Sequence, residues 1–202
     1  MSTAADDGAG ARTRAYHVGN VKTALVDAAR ALLREGGMAG LDLRTLSARA
    51  GVALGTVYHH FESKTDLLAG LAEQGFADLT ARLVAAAETA EPGRVIRECV
   101  LTHSAFAAAE PDLYALMFDS QIARLEPIRA ARRQAQDALE ATIAALPQAQ
   151  GRTPEGLHAA AVAVWTCAHG AASLALLHEE DGDLADTMIR GLTELYLGGR
   201  EY

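Results

Sequence analysis

Cysteine, aromatic residues and proline are all scarce in this chain of 202 residues, and each shortage removes a class of answer. Cys99 and Cys167 are the only cysteines and fit no metal or redox spacing, so both are expected to be buried, reduced thiols. Aromatic residues make up 5% of the chain and β-branched residues are sparse, which argues against a strand-rich core. No run approaches the roughly 20 uninterrupted apolar residues that a membrane-spanning helix needs. The N-terminus lacks the basic-then-apolar order of a signal peptide, so a cytoplasmic protein is expected. The chain is also poor in catalytic signatures. Its seven histidines (His17, His59, His60, His103, His158, His169 and His178) form no H-E-x-x-H or facing Glu-x-x-His arrangement, and there is no G-x-S-x-G, P-loop or dinucleotide fingerprint. No catalytic residue, metal or cofactor is expected.

What the chain has is alanine, leucine and an uneven distribution of charge. Half of the residues are apolar, and the dominance of two strong helix formers predicts an all-α fold. The net charge of −8 argues against a polyanionic partner for the whole chain. From Ala11 to Lys64, however, eight basic residues oppose four acidic ones, giving +4, whereas from Thr65 to Tyr202 ten basic residues oppose twenty acidic ones, giving −10. A positive head on a negative body is the asymmetry expected when one end alone approaches phosphates.

Hydrophobic periodicity divides the chain into about nine helices. The first is expected over about Asn20 to Glu35, with Asn20 as its N-cap and Gly36-Gly37 as its end, leaving the N–H groups of Val21 and Lys22 to hold a phosphate. Two short helices follow at about Leu43 to Ala50, capped by Asp42, and Leu54 to Phe61. Gly51 lies between them, where a tight connection of crossing helices favours positive φ. Val57 and Phe61 point inward. Gly55, Thr56, Tyr58, His59 and His60 are then displayed outward, a small hydrogen-bonding surface of the kind that enters a major groove. Periodicity alone equally allows an ordinary αα-hairpin.

The run GGMAGLDLRTLSARAGVALGTVYHHFESKTDLL decides between these. It closely resembles the DNA-binding domain of the tetracycline-repressor (TetR) family of bacterial transcriptional regulators, in the order Leu-Arg, AGV, G-T-x-Y-x-H-F and S-K-x-x-L-L. The resemblance implies a three-helix DNA-binding domain over residues 16–64, a C-terminal ligand-binding and dimerisation bundle over 65–202, and a disordered segment or arm over 1–15. It implies that Thr56, Tyr58, His59 and His60 face DNA, with Tyr58, His60 and Lys64 on phosphates. Lys22, Arg44, Thr45, Leu54 and Gly55 complete the expected DNA-binding set. The chain departs from the family pattern at Ala53, where a capping serine or threonine is usual, at Leu54, and at Ser47, where alanine is usual.

The fourth helix is expected from about Lys64 to Glu88, opened by a Ser63 cap, with Leu67, Leu68, Leu71, Phe76, Leu79 and Leu83 on its apolar face. Further helices are expected at about Arg94 to Ala109, Pro111 to Phe118, Ile122 or Pro127 to Leu146, Pro154 to His178, and Asp183 to Leu197. Ala159, Ala160, Ala163, Val164, Cys167, Ala171 and Leu174, with Leu184, Met188, Leu192, Leu195 and Tyr196, are the expected homodimer surface.

Within the long helix, Trp165 to Gly170 resembles the Trp-x-x-x-His-Gly signature of one C-terminal subclass of the family. Trp165 and His169 share a helical face. They either line a cavity, or Trp165 is core and His169 satisfies a buried carbonyl. An effector pocket is expected from Phe106, Tyr114, Met117, Phe118, Trp165 and His169, suited to a small, mainly hydrophobic molecule. The expected function is that of a homodimeric repressor on a near-palindromic operator in double-stranded DNA, released by that effector. The alternative is an activator or an effector-independent regulator of the same fold.

Overall fold

The structure, a computed structural model, describes the backbone of residues 7–91, 93–177 and 186–191 and the side chains of 21–91, 93–176 and 186–191. Among the described residues there are helices and turns but no strands. The elements are α1 (Asp7–Gly40), α2 (Leu43–Ala50), α3 (Leu54–His60), α4 (Lys64–Thr89), α5 (Val95–Ala109), α6 (Pro111–Met117), α7 (Glu126–Ala144) and α8 (Pro154–Leu177). Residues 186–191 form a further helical piece. Leu184, Leu192, Leu195 and Tyr196 of the expected dimer surface lie outside the described residues, as do His178 and the side chain of His17.

The chain folds as two compact units, Met1–Leu71 and Ala72–Tyr202. In the first, α1 packs on α2 and α2 on α3. Leu25, Ala29, Leu33, Leu46 and Val57 are fully buried there, each from the apolar face that its helical spacing dictates, together with Leu41 of the connection between α1 and α2. One expectation fails at the start. Asn20 is not an N-cap, because α1 begins at Asp7 and runs through it. The alanines and arginines upstream favour helix strongly enough to override a local capping signal. The N–H groups of Val21 and Lys22 therefore lie inside a helix and are not free to hold a phosphate. The far end behaves as expected, since Gly37 takes φ +60° and breaks the helical path.

In the second unit α8 packs on α5 and α7. Its buried positions, Ala161, Trp165, Ala168 and Ala172, recur every three or four residues and face those helices. Ala171 is buried as well, so it belongs to the core and not to the expected dimer surface. Pro111 and Pro127 stand in the first turns of α6 and α7, where no backbone N–H is missed. Ahead of α7, residues Ile122–Arg124 form a separate 3-10 turn and Leu125 is extended, so both starts expected for that helix exist as distinct pieces.

Candidate nucleic-acid interface and buried aromatic cluster

Three local devices fix the geometry of α2 and α3. Asp42 caps α2, its carboxylate accepting from the backbone N–H groups of Arg44 at 2.8 Å and Thr45 at 2.9 Å and from the Thr45 hydroxyl at 2.8 Å. Those bonds from Thr45 first hold the Asp42 carboxyl below its usual range. Gly51 ends α2 with φ +65°, and its N–H returns to Ala48 and Ser47. Ser47 then donates its hydroxyl to the Val52 carbonyl at 2.7 Å, a bond that the alanine usual at this position cannot make. The start of α3 has no side-chain cap, as Ala53 requires. An exposed ion pair from Arg49 to Glu35 links α2 to α1.

With Val57 and Phe61 buried, the opposite side of α3 is open to solvent. Tyr58 is 51% exposed, Gly55 and His59 are exposed, and Leu54, Thr56 and His60 are half-buried. Lys22, Arg44 and Lys64 are exposed. His59 and His60 meet edge to face at 5.2 Å, and Lys22 lies close enough to His60 to act on it. Burial, with His59 and Lys22 contributing less, pushes the His60 imidazole below its ordinary value, so it is neutral near pH 7. Lys64 lies in the field of Asp42 and donates to the carbonyl of Met38 at 2.7 Å. Sequence reasoning missed that anchor, because it joins residues 26 apart. Thr45 is half-buried with its hydroxyl proton committed to Asp42, which leaves oxygen lone pairs and no spare donor.

The pocket residues expected in the second unit come together, but around a histidine that sequence did not single out. Tyr114 is the hub. Its hydroxyl lies 2.8 Å from Nε2 of His103 and 2.7 Å from Nδ1 of His169, and it also bonds Ser173. The chain of bonds ties α5, α6 and α8 together. Trp165 meets the His103 ring edge to face at 5.4 Å, and Phe118 lies against His169 with centroids 4.0 Å apart. His169 thus satisfies a hydroxyl, not a carbonyl. Burial drives the His103 imidazole down to about 4, with His169 adding to it, and burial raises the Tyr114 phenol. Both are neutral near pH 7. Phe106 and Met117 are fully buried, Met117 against the bare backbone of Gly75. His103 lies one turn before Phe106 on the same face of α5, and this spacing was the signal available for it.

Among the described residues no group of three His, Cys, Asp or Glu side chains is placed to hold a metal. Cys99 is buried, its thiol pushed up to about 11 by burial and by Glu98, and Cys167 is half-buried.

Comparison with known proteins agrees with this architecture. Residues 25–71 match the model of the bacterial regulatory proteins of the tetR family, and residues 96–194 match a tetracyclin repressor-like C-terminal domain. No curated protein matches by sequence. A Rhodococcus protein of unknown function is similar at 28% identity, with TM-score 0.74 over 89% of this chain and 94% of its own. A TetR-family transcriptional regulator of Pectobacterium atrosepticum shares the fold at 23% identity, with TM-score 0.73 over 91% and 95%. The regulator FadR of Bacillus subtilis, in complex with stearoyl-CoA, shares it at 17% identity, with TM-score 0.67 over 88% and 99%. The chain therefore carries the N-terminal domain of the tetR family of bacterial regulatory proteins followed by a tetracyclin repressor-like C-terminal domain, and is an all-α transcription regulator of that family and not an enzyme.

Proposed function

We propose that the chain acts in the cytoplasm as a homodimeric repressor that holds a near-palindromic operator and releases it when a small, mainly hydrophobic effector binds. The observation that carries the DNA reading is the solvent face of α3. Tyr58 and His59 stand out from a helix whose Val57 is fully buried, with Lys22, Arg44 and Lys64 exposed in the same stretch from Ala11 to Lys64, which carries +4. Lysine and arginine set position on the phosphates, and the α3 surface reads base edges in the groove.

The partner on α8 is a second copy. Val162 is 45% exposed and Leu174 is also exposed, and with Ala159, Ala163 and Thr166 they form a stripe on the side away from the core. These exposed apolar and small side chains lie together on one side of a long apolar helix, a face that a second copy can cover. Two such faces related by a two-fold axis bury each other and present two recognition helices to half-sites about one DNA turn apart.

The effector site is the aromatic cluster around Tyr114, and a regulator of the same fold seen in complex with a ligand, FadR with stearoyl-CoA, supports the effector reading. Trp165 and His169 joining one cluster supports placement in the Trp-x-x-x-His-Gly subclass. The effector releases DNA by binding more tightly to the dimer conformation whose head spacing misses the half-sites, since equal affinity shifts nothing. The test is binding to a promoter fragment from beside its own gene. Tyr58→Phe and Lys64→Ala should each weaken binding with circular dichroism unchanged. Unaltered affinity in both removes the assignment.

A further inference from the structure

We propose that the Tyr114 hydroxyl, strung between His103 and His169, is the polar end of the effector site and selects uncharged molecules that carry a hydroxyl or carbonyl oxygen on a mainly apolar body, over carboxylates and acyl-CoA thioesters. This rests on the reading that the C-terminal unit takes an effector.

A phenol has one proton and two lone pairs, and a neutral imidazole has one N–H and one acceptor nitrogen. Tyr114 donates its one proton to one imidazole and accepts from the other and from Ser173, so the relay is closed without any net charge. His103 is 1% exposed and Tyr114 is 2% exposed, and burial keeps both in their neutral forms. An arriving hydroxyl or carbonyl oxygen takes the place of His169 as acceptor of the Tyr114 proton, while the Tyr114 oxygen still accepts from His103 and Ser173. A carboxylate arriving there brings a full charge into a nest of Trp165, Phe118 and two neutral imidazoles. Such a charge is strongly disfavoured where nothing offsets it. The cation found against these rings among the described residues is Arg82, and it lies over Phe106 at 5.3 Å, a ring whose centroid is 6.4 Å from that of Tyr114.

The place of entry follows from which members are open. His103, Tyr114 and Trp165 are buried, whereas Phe118 and His169 are both half-buried and lie against one another. Turning the His169 ring away from Tyr114 uncovers the hydroxyl, and the same turn frees the Phe118 face to cover an apolar body. His169 is then the movable lid of the site and His103 the fixed half of the relay.

Trp165 is the one tryptophan of the chain and touches His103, so its fluorescence reports on the relay directly. Full-length protein is titrated with two matched pairs, 4-propylphenol against 4-propylbenzoate and 1-octanol against octanoate, and with octanoyl-CoA, with excitation at the red edge of tryptophan absorption and calorimetry in parallel. The proposal expects saturable binding of the neutral member of at least one pair, at least tenfold tighter than its acid and than octanoyl-CoA. In Tyr114→Phe that preference should fall below threefold, with the helical circular dichroism retained. Tighter binding of an acid or of octanoyl-CoA overturns the proposed class while the effector site itself stands. Binding of none of the five overturns the effector reading together with the proposal. Should Tyr114→Phe fail to fold, the wild-type pairs alone decide.

Discussion

Gly55→Ala separates a helix surface that binds DNA from one that is simply solvated. Gly55 is exposed in α3, has no positive φ, and a Cβ placed there meets nothing within 4 Å. Alanine in a helix interior is favoured over glycine by about 1 kcal/mol, the upper bound for Gly55 in the first turn of α3. In a chain of this size such a gain corresponds to a rise in Tm of about 2–4 °C. The new methyl group nevertheless projects from the helix that also displays Thr56, Tyr58 and His59. If that surface seats in a major groove, the methyl holds it off, and losing one good base contact costs about 1–3 kcal/mol, roughly 5- to 160-fold in affinity. Thermal melts followed by circular dichroism and anisotropy titrations of a labelled promoter fragment give both quantities. The expected result is a more stable protein that binds DNA more weakly. A more stable protein with unchanged affinity refutes the placement of α3 in the groove.

Three further outcomes follow from the same geometry. Gly51→Ala should destabilise by about 1–2 kcal/mol, since φ +65° is the left-handed region and the surrounding space is open, leaving backbone strain as the sole penalty; an unchanged denaturation midpoint contradicts this. His103 has its folded value depressed to about 4, so the unfolded chain binds the extra proton and stability falls as pH drops from about 6.5 towards 4. The loss should reach about 3 kcal/mol below pH 4, and His103→Gln should flatten that slope in denaturant titrations run at several pH values. Val162→Glu should convert the dimer to a monomer in sedimentation velocity, and a dimer that survives it moves the interface off the exposed face of α8.

Much of this was legible in the sequence because the helices carry strong local signals. Asp42 announces the start of α2, Gly51 its end, and Val57 and Phe61 their inward side. Where signals compete or vanish, reading fails. Asn20 looks like a cap, but the helix-forming alanines and arginines before it extend α1 back to Asp7. Along α8 alanine occurs on every side, so periodicity offers no contrast between the buried Ala171 and the exposed Val162. The relay was invisible for another reason. His103, Tyr114 and His169 stand on three helices, the last bond spanning 55 residues, and only packing brings them together. Met38 holding Lys64 through a main-chain carbonyl is the same case, since no side-chain type encodes it.

The salt dependence of binding to the promoter fragment tests the central claim most directly. If Lys22, Arg44 and Lys64 of each protomer all sit on phosphates, a dimer neutralises six, and log affinity should fall linearly with log salt with a slope of about −5. Lys64→Ala should make that slope shallower by about two per dimer. An affinity indifferent to salt, or a slope that Lys64→Ala leaves unchanged, contradicts the account.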